Sequence, residues 1–97
     1  MLSDFECWIQ EKYQEIEKLG YKAEVVKSPS DINEPSTRLD LDSDNYIARI
    51  TLWESGESYL EIVDVLSENM VFNEYIVIDK NMNFSEAFEK FFTRLRQ

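Results

Sequence analysis

The chain has 97 residues, of which 43% are hydrophobic and 13% aromatic, and this composition excludes a disordered chain because disordered chains are poor in aromatic residues. Its 20 acidic and 10 basic residues give a net charge of −10, which disfavours direct binding to nucleic acid or to anionic lipid. We expect residues 1–97 to form a single acidic domain.

The first predicted element is an amphipathic helix over residues 3–19. Ser3 and Glu6 have the spacing of a capping box, in which each side chain satisfies a free backbone N–H of the first turn. Gly20 stands where a helix ends in a left-handed residue. Trp8 lies beside the apolar stripe and could widen it. The stripe itself comprises Leu2, Phe5, Ile9, Tyr13, Ile16 and Leu19.

Five strand-like segments follow the first helix. Between the first two lies SPSDINEPS, residues 28–36, which carries both prolines and is the most loop-like part of the chain. The later connections are short, with a tight turn at Ser55-Gly56, so neighbouring strands must run antiparallel because parallel neighbours need a long crossover. The predicted strands are residues 21–27, 37–42, 46–53, 57–66 and 70–78.

The last predicted element is a helix over residues 84–95, which Asn83 can cap with Glu86 three residues further on. The order is therefore helix, about five strands, helix. We expect an α+β fold, an antiparallel meander with the N- and C-terminal helices packed on one face. The apolar face of the last helix comprises Phe84, Ala87, Phe88, Phe91, Phe92 and Leu95.

The acidic stretch DLDSDN, residues 40–45, admits two interpretations, a calcium loop or the tip of a hairpin. A twelve-residue calcium loop that started at Asp40 would need Gly at its sixth position and Glu at its twelfth, where this chain has Asn45 and Thr51. In the hairpin interpretation Leu39 and Leu41 point to the core, and the residues after them are good turn formers. The pattern favours a hairpin over a physiological cation site.

Residue types that commonly carry catalysis are scarce in this chain. It has no histidine, one cysteine and two glycines, which removes the usual general base, a zinc cluster and a phosphate-binding glycine loop. Carboxylate pairs alone could support hydrolysis, but 20 acids in 97 residues form close pairs by chance. We therefore expect that the protein is not an enzyme and that it has no catalytic, metal or cofactor site.

The cysteine and the hydropathy pattern predict a cytoplasmic protein. A lone cysteine cannot form an internal disulfide, and neither a signal peptide nor an apolar run of membrane-spanning length is present. Cys7 itself is flanked by acids at helical spacing, which disfavour a thiolate, so an ordinary helix residue is a better interpretation than a reactive thiol.

The acidic charge is concentrated in residues 37–69, which hold eight acids and two bases. Strand alternation places several of these acids, with aromatic residues, on the sheet face away from the helices. Such a surface suits a basic protein partner, although a solvated face that only confers solubility explains the same residues. The predicted partner-binding residues are Asp40, Asp42, Asp44, Trp53, Glu54, Glu57, Tyr59 and Glu61.

The chain as a whole resembles a known group. An acidic, histidine-free domain of this length looks like an immunity protein of a contact-dependent growth-inhibition system. The helix–meander–helix order, with the opening LSDFECWIQEKYQEIEKLGY (residues 2–21), is similar to the TriTu immunity family. The resemblance covers nearly all of the chain and carries over no binding residue, because that family has no catalytic motif to match.

The resemblance implies that the chain binds and neutralises a cognate toxin domain. The family name is associated with toxins that attack transfer RNA and engage elongation factor Tu. The partner that the resemblance implies is therefore a basic nuclease domain. Elongation factor Tu would be contacted only indirectly, through the toxin. Two alternatives stay open. One is a small acidic secretion-type chaperone, and the other is a calcium-binding module.

Overall fold

The computed structural model describes residues 1–29 and 33–97. One layer is a five-stranded sheet in which every neighbouring pair is antiparallel and the strands lie in chain order, and the helices cover one of its faces. The predicted α+β meander is confirmed. Its elements are α1 (Leu2–Lys18), β1 (Lys22–Lys27), β2 (Ser36–Asp42), β3 (Tyr46–Trp53), β4 (Glu57–Asp64), β5 (Met70–Val77), α2 (Phe84–Ala87) and α3 (Glu89–Leu95).

Strand alternation builds the core between the sheet and the helices. Leu39 lies opposite Ile50, which lies opposite Leu60, and all three are fully buried. Since successive side chains of a strand point to opposite faces, a slip of one residue would bring the charged positions into the core. The hydrophobic pattern therefore specifies the register as well as the strands. The same face of β2, β3 and β4 also buries Leu41, Ala48, Leu52 and Ile62.

Helix α1 packs on the sheet through Phe5, Ile9 and Ile16, which are almost completely buried. Tyr13 and Leu19, predicted on the same stripe, are 40% and 39% exposed. The helix ends at Lys18, so Leu19 follows its last turn and lies away from the core.

The predicted capping box at the start of α1 is wrong. The helix begins one residue earlier, with Met1 at the cap position and Ser3 inside the first turn. Glu6 contacts the sheet instead. Its carboxylate accepts a hydrogen bond from the Thr37 hydroxyl at 2.9 Å and lies 3.1 Å from Lys27 Nζ. Glu6 therefore ties α1 to β1 and β2 rather than satisfying its own N-terminus.

The last helix is interrupted at Phe88, where a single helix over residues 84–95 was predicted. Phe88 has φ −104° and ψ 14° and separates α2 from α3. Its ring is fully buried against Phe5 and Trp8, with centroids 5.9 and 5.7 Å apart, while Phe91 packs on Phe72 of β5 at 6.1 Å. The break occurs where these rings pack against two separate elements, α1 and β5.

The cap of α2 is formed as predicted. Asn83 Oδ1 accepts a hydrogen bond from the Glu86 backbone N–H at 2.7 Å. We expect Asn83→Ala to lower the free energy of unfolding by about 1 kcal/mol, because it leaves a helix-terminal N–H without its acceptor. Denaturant unfolding of the variant measures this loss. Asn81→Ala is the matched control, since the Asn81 side chain makes no hydrogen bond to the described residues. Equal losses in the two variants would contradict the capping role.

The turn after β4 begins earlier than the sequence indicated. β4 ends at Asp64, whereas the strand was predicted to continue to Leu66, which is 95% exposed. The Asp64 carboxylate accepts hydrogen bonds from the Ser67 hydroxyl (2.6 Å) and backbone N–H (3.1 Å), and these bonds lower the pKa of Asp64. Asp64 thus closes the turn with its own side chain and ends the strand.

The loop predicted over residues 28–36 is described at its two ends. The Ser28 N–H donates to the Ser36 carbonyl at 2.9 Å, and the Ser36 N–H donates to Ser28 Oγ at the same distance. These two bonds close the connection between β1 and β2. Residues 30–32 lie outside the described part of the chain.

Candidate functional site

The face of the sheet opposite the helices, here called the outer face, carries most of the predicted binding residues. Alternation and register place Asp40, Asp42, Trp53, Glu57, Tyr59 and Glu61 on it. The register also aligns residues of different strands into rows that cross the sheet. One row has charged residues at four of its five positions and consists of Glu24, Asp40, Arg49, Glu61 and Asn73. The next row consists of Val26, Arg38, Thr51, Tyr59 and Tyr75.

The eight predicted binding residues do not form one cluster. Asp44 lies in the turn between β2 and β3, whereas Glu54 lies in the turn between β3 and β4. These turns are at opposite ends of β3, whose eight residues at about 3.3 Å each separate them by about 25 Å. A small partner surface could contact one end of the outer face and its centre, but not both ends closely.

The hairpin interpretation of DLDSDN is confirmed. Ser43 organises the turn, because its hydroxyl oxygen accepts from the backbone N–H groups of Asn45 (3.3 Å) and Tyr46 (3.1 Å). Asp42 is exposed on the outer face and Asp44 is exposed in the turn. Within residues 1–29 and 33–97, no group of three or more His, Cys, Asp or Glu side chains is close enough together to hold a metal ion.

Asp40 is engaged by two arginines of its own sheet. Its carboxylate accepts from Arg49 Nε at 2.7 Å and from Arg38 Nε at 3.0 Å, and its side chain is only 26% exposed. Both bases of the acidic 37–69 region are therefore held by this one acid. Both carboxylate oxygens of Asp40 are thus already engaged within the sheet, and they hold the two guanidinium groups on the outer face.

The end of the outer face near the β3–β4 turn combines rings and carboxylates. We call it the aromatic–acidic corner, and it consists of Trp53, Glu54, Glu57, Tyr59 and Tyr75. Tyr59 lies directly opposite Tyr75 on the neighbouring strand. The Tyr75 hydroxyl donates to the Glu57 carboxylate, and this bond raises the pKa of Tyr75. The Ser55 hydroxyl lies 3.2 Å from the carboxylates of both Glu57 and Glu34 and can donate to only one of them at a time, so Tyr75 is the main donor that orients Glu57.

Two exposed apolar residues at this corner and on the strand beside it, Tyr75 and Val77, are absent from the predicted binding residues. Their exposed fractions are 53% and 55%, which is high for large apolar side chains in a strand. The signal was present in the sequence, because alternation along β5 puts both residues on the face that carries Glu57.

The opposite end of the outer face is apolar with fewer rings. Ile47 and Met70 are 52% and 47% exposed, and Val63 lies between them in register. A shallow concavity of about 450 Å³ adjoins this end, lined by charges of both signs that include Lys22 and Glu61. This mixture does not define one class of ligand, so the aromatic–acidic corner is the better candidate site.

The comparisons with known proteins give one family. The family model described as "Immunity protein TriTu" matches residues 3–94. No curated protein matches the chain with significant similarity. In the described part of the chain, no helix is both long enough and apolar enough to cross a membrane.

Proposed function

We propose that this chain, which belongs to the TriTu immunity protein family, neutralises a cognate nuclease toxin by binding it in a stoichiometric complex. Family membership supports the immunity function and implies a toxin as the partner. The nuclease character of the toxin is what the resemblance to this family implies, and the charge of the chain supports it. A nuclease needs a cationic surface to hold phosphate groups, and this chain carries a net charge of −10.

Inhibition by such a complex needs no chemistry from the immunity protein. An acidic domain that covers the cationic cleft of a transfer-RNA nuclease occupies the path of the substrate phosphates. An acidic domain that binds beside the cleft would instead keep the toxin from its RNA or from elongation factor Tu. Either arrangement fits this chain, because it has few of the residue types that commonly carry catalysis and its sequence therefore predicts binding rather than catalysis.

The aromatic–acidic corner is our proposed centre of the interface. Rigid rings give large contact areas with little loss of side-chain freedom, and carboxylates between them pair with Arg and Lys of a partner. Glu57 is already oriented by the Tyr75 hydroxyl, so less conformational entropy is lost when a cation binds it. Burying such a pair makes its loss costly, by about 2–5 kcal/mol when one partner is truncated.

The remaining predicted residues have a lesser role in this proposal. Asp42 and Asp44 lie at the other end of the outer face, about 20 Å or more from Trp53 along β3, where they would act at the rim or through long-range attraction. Asp40 acts by holding Arg38 and Arg49. The outer face therefore presents fixed positive groups beside its carboxylates, and a matching toxin surface should include an acceptor opposite them.

Titration calorimetry tests this function. The ligand is the C-terminal domain of whatever large exported protein is encoded immediately upstream of this chain. We expect one-to-one binding that weakens by about tenfold or more when the salt concentration rises from about 0.1 M to about 1 M, because the screening length falls from about 10 Å to about 3 Å. The family match favours this outcome over a secretion-type chaperone. Absence of binding at both salt concentrations would refute the proposed pairing.

A further inference from the structure

Strand β5 forms one edge of the sheet and pairs with β4 alone. The backbone hydrogen bonds of this pair fix which β5 groups point away from it. The Ile78 N–H donates to the Gly56 carbonyl at 2.8 Å, so Ile78 and Gly56 form a hydrogen-bonded pair. Hydrogen-bonded and non-hydrogen-bonded pairs alternate along an antiparallel ladder. Ile76 and Glu74 therefore direct their backbone groups toward β4.

The intervening residues direct their backbone groups to the free edge. These residues are Asn73, Tyr75 and Val77, which supply three N–H donors and three carbonyl acceptors at a spacing of two residues. Among the described residues, none of these groups has a hydrogen-bond partner. Their side chains lie on the outer face, and Tyr75 belongs to the aromatic–acidic corner. The edge is thus continuous with the proposed interface.

The two edges of the sheet differ in how well they are protected. On β1, three of the six residues are charged (Lys22, Glu24 and Lys27). On β5, one of the eight residues is charged, and the strand reads MVFNEYIV. Charged side chains on an edge strand discourage pairing with another chain, and a long apolar edge invites it. The unprotected edge lies next to the aromatic–acidic corner.

The charges around this edge select its occupant. A second copy of the chain would bring two molecules of net charge −10 together, with Glu57 and Glu74 of each copy near those of the other. A strand that carries Lys or Arg would instead be attracted to this edge, because Glu57 lies beside Val77 on the outer face and Glu74 lies in the middle of the edge strand. The edge therefore fits a basic strand of a different protein.

We propose that the toxin adds an edge strand of its own to β5, so that the sheet continues from the immunity protein into its partner. This inference rests on the proposed function and identifies how the partner is held. Backbone bonds to Asn73, Tyr75 and Val77 supply affinity with little dependence on side-chain identity. Basic side chains of the added strand contact Glu57 and Glu74 and supply specificity.

Proline substitution at the edge tests the proposal. Val77→Pro removes one outward N–H, and a strand edge tolerates proline where the N–H faces solvent. Two controls are available. Val77→Ala shortens the same side chain but keeps the N–H. Val25→Pro removes an outward N–H from the opposite edge of the sheet. The Ser28 N–H donates to the Ser36 carbonyl, so by the same alternation the Val25 backbone groups point away from β2.

We expect calorimetry with the toxin domain to show binding weakened by about tenfold or more for Val77→Pro and by less than about threefold for both controls. Wild-type affinity in Val77→Pro overturns the added strand and leaves the proposed function standing. Failure of the wild-type chain to bind the toxin refutes the proposed function itself. Light scattering adds a separate outcome, since a wild-type dimer that Val77→Pro dissociates would assign the edge to a second copy.

Hydrogen–deuterium exchange of the unmodified chain keeps the proposal testable if Val77→Pro fails to fold. The edge-directed amides of Asn73, Tyr75 and Val77 should exchange rapidly in the free protein and slow by about tenfold or more in the toxin complex. The corresponding amide of Val25 should exchange equally fast in both states. Unchanged exchange at all three β5 amides in a saturated complex overturns the proposal.

Discussion

Simultaneous replacement of Glu57 and Glu61 by Lys is expected to weaken toxin binding by about 100-fold or more and to abolish protection of the cell. Both residues lie on the outer face of β4, on either side of Tyr59. In the proposed interface, the double variant replaces two attractive contacts with a cationic toxin by two repulsive ones. It also removes the acceptor of the Tyr75 hydroxyl. Calorimetry measures the affinity, and survival of cells that express the toxin measures protection.

A matched charge reversal on helix α1 separates position from net charge. Glu11 and Glu17 are exposed on the opposite side of the molecule, and Lys at both positions changes the net charge by the same amount. We expect this control to change the affinity by less than about fivefold, through long-range attraction alone. Thermal unfolding should show both double variants folded, since none of the four side chains lies in the core and substitutions outside the core change stability little. A larger loss for the helix variant would move the interface to α1.

Gly56→Ala is expected to lower the free energy of unfolding by about 3 kcal/mol or more and the melting temperature by about 10 °C or more. Gly56 has φ +97°, in the region that favours glycine. A Cβ atom at this position would also overlap the Ile78 carbonyl oxygen, and that backbone is tied to Gly56 by a 2.8 Å hydrogen bond. Relief of the overlap therefore requires the β3–β4 turn and the end of β5 to separate.

Gly20→Ala is the control for this effect. Gly20 has a similar φ of +94°, but a Cβ atom there would meet nothing within 4 Å. Only the backbone strain applies, and the expected loss is about 1–2 kcal/mol. Denaturant unfolding of the two variants under identical conditions gives the difference. If both lost the same amount, the close approach of Gly56 to Ile78 would contribute nothing to stability. Because this turn borders the aromatic–acidic corner, we also expect weaker toxin binding by Gly56→Ala than by Gly20→Ala.

Local patterns in the sequence determined most of the fold. The alternation of Leu39 and Leu41 with charged residues fixed the faces of β2, because strand side chains alternate strictly. Asn83 and Ser55-Gly56 marked the start of α2 and the β3–β4 turn, since both signals act within three or four residues. The same acidic composition and element order supported the resemblance to the immunity family that the family match then confirmed.

Errors arose where a distant contact outweighed a local signal. The capping box failed because Glu6 contacts Thr37 and Lys27, residues 31 and 21 positions away along the chain, instead of the helix terminus. The final helix is interrupted at Phe88, the position at which the packing changes from α1, contacted by Phe88, to β5, contacted by Phe91. Helical periodicity places both rings on one face, but it contains no information about what each ring will contact.

Of all the features, the candidate binding surface was the least predictable from the sequence without the tertiary structure. Alternation in the sequence identified the outer face and its acids, but register alone decided which residues of different strands lie together. Register aligned Tyr59 with Tyr75 and placed Arg49 opposite Asp40, which alternation along β2 had already placed beside Arg38. One predicted binding residue thus became the ligand of two arginines. Strand order left β5 at an edge. These features depend on pairing between segments far apart in the chain, and composition and periodicity describe each segment only by itself.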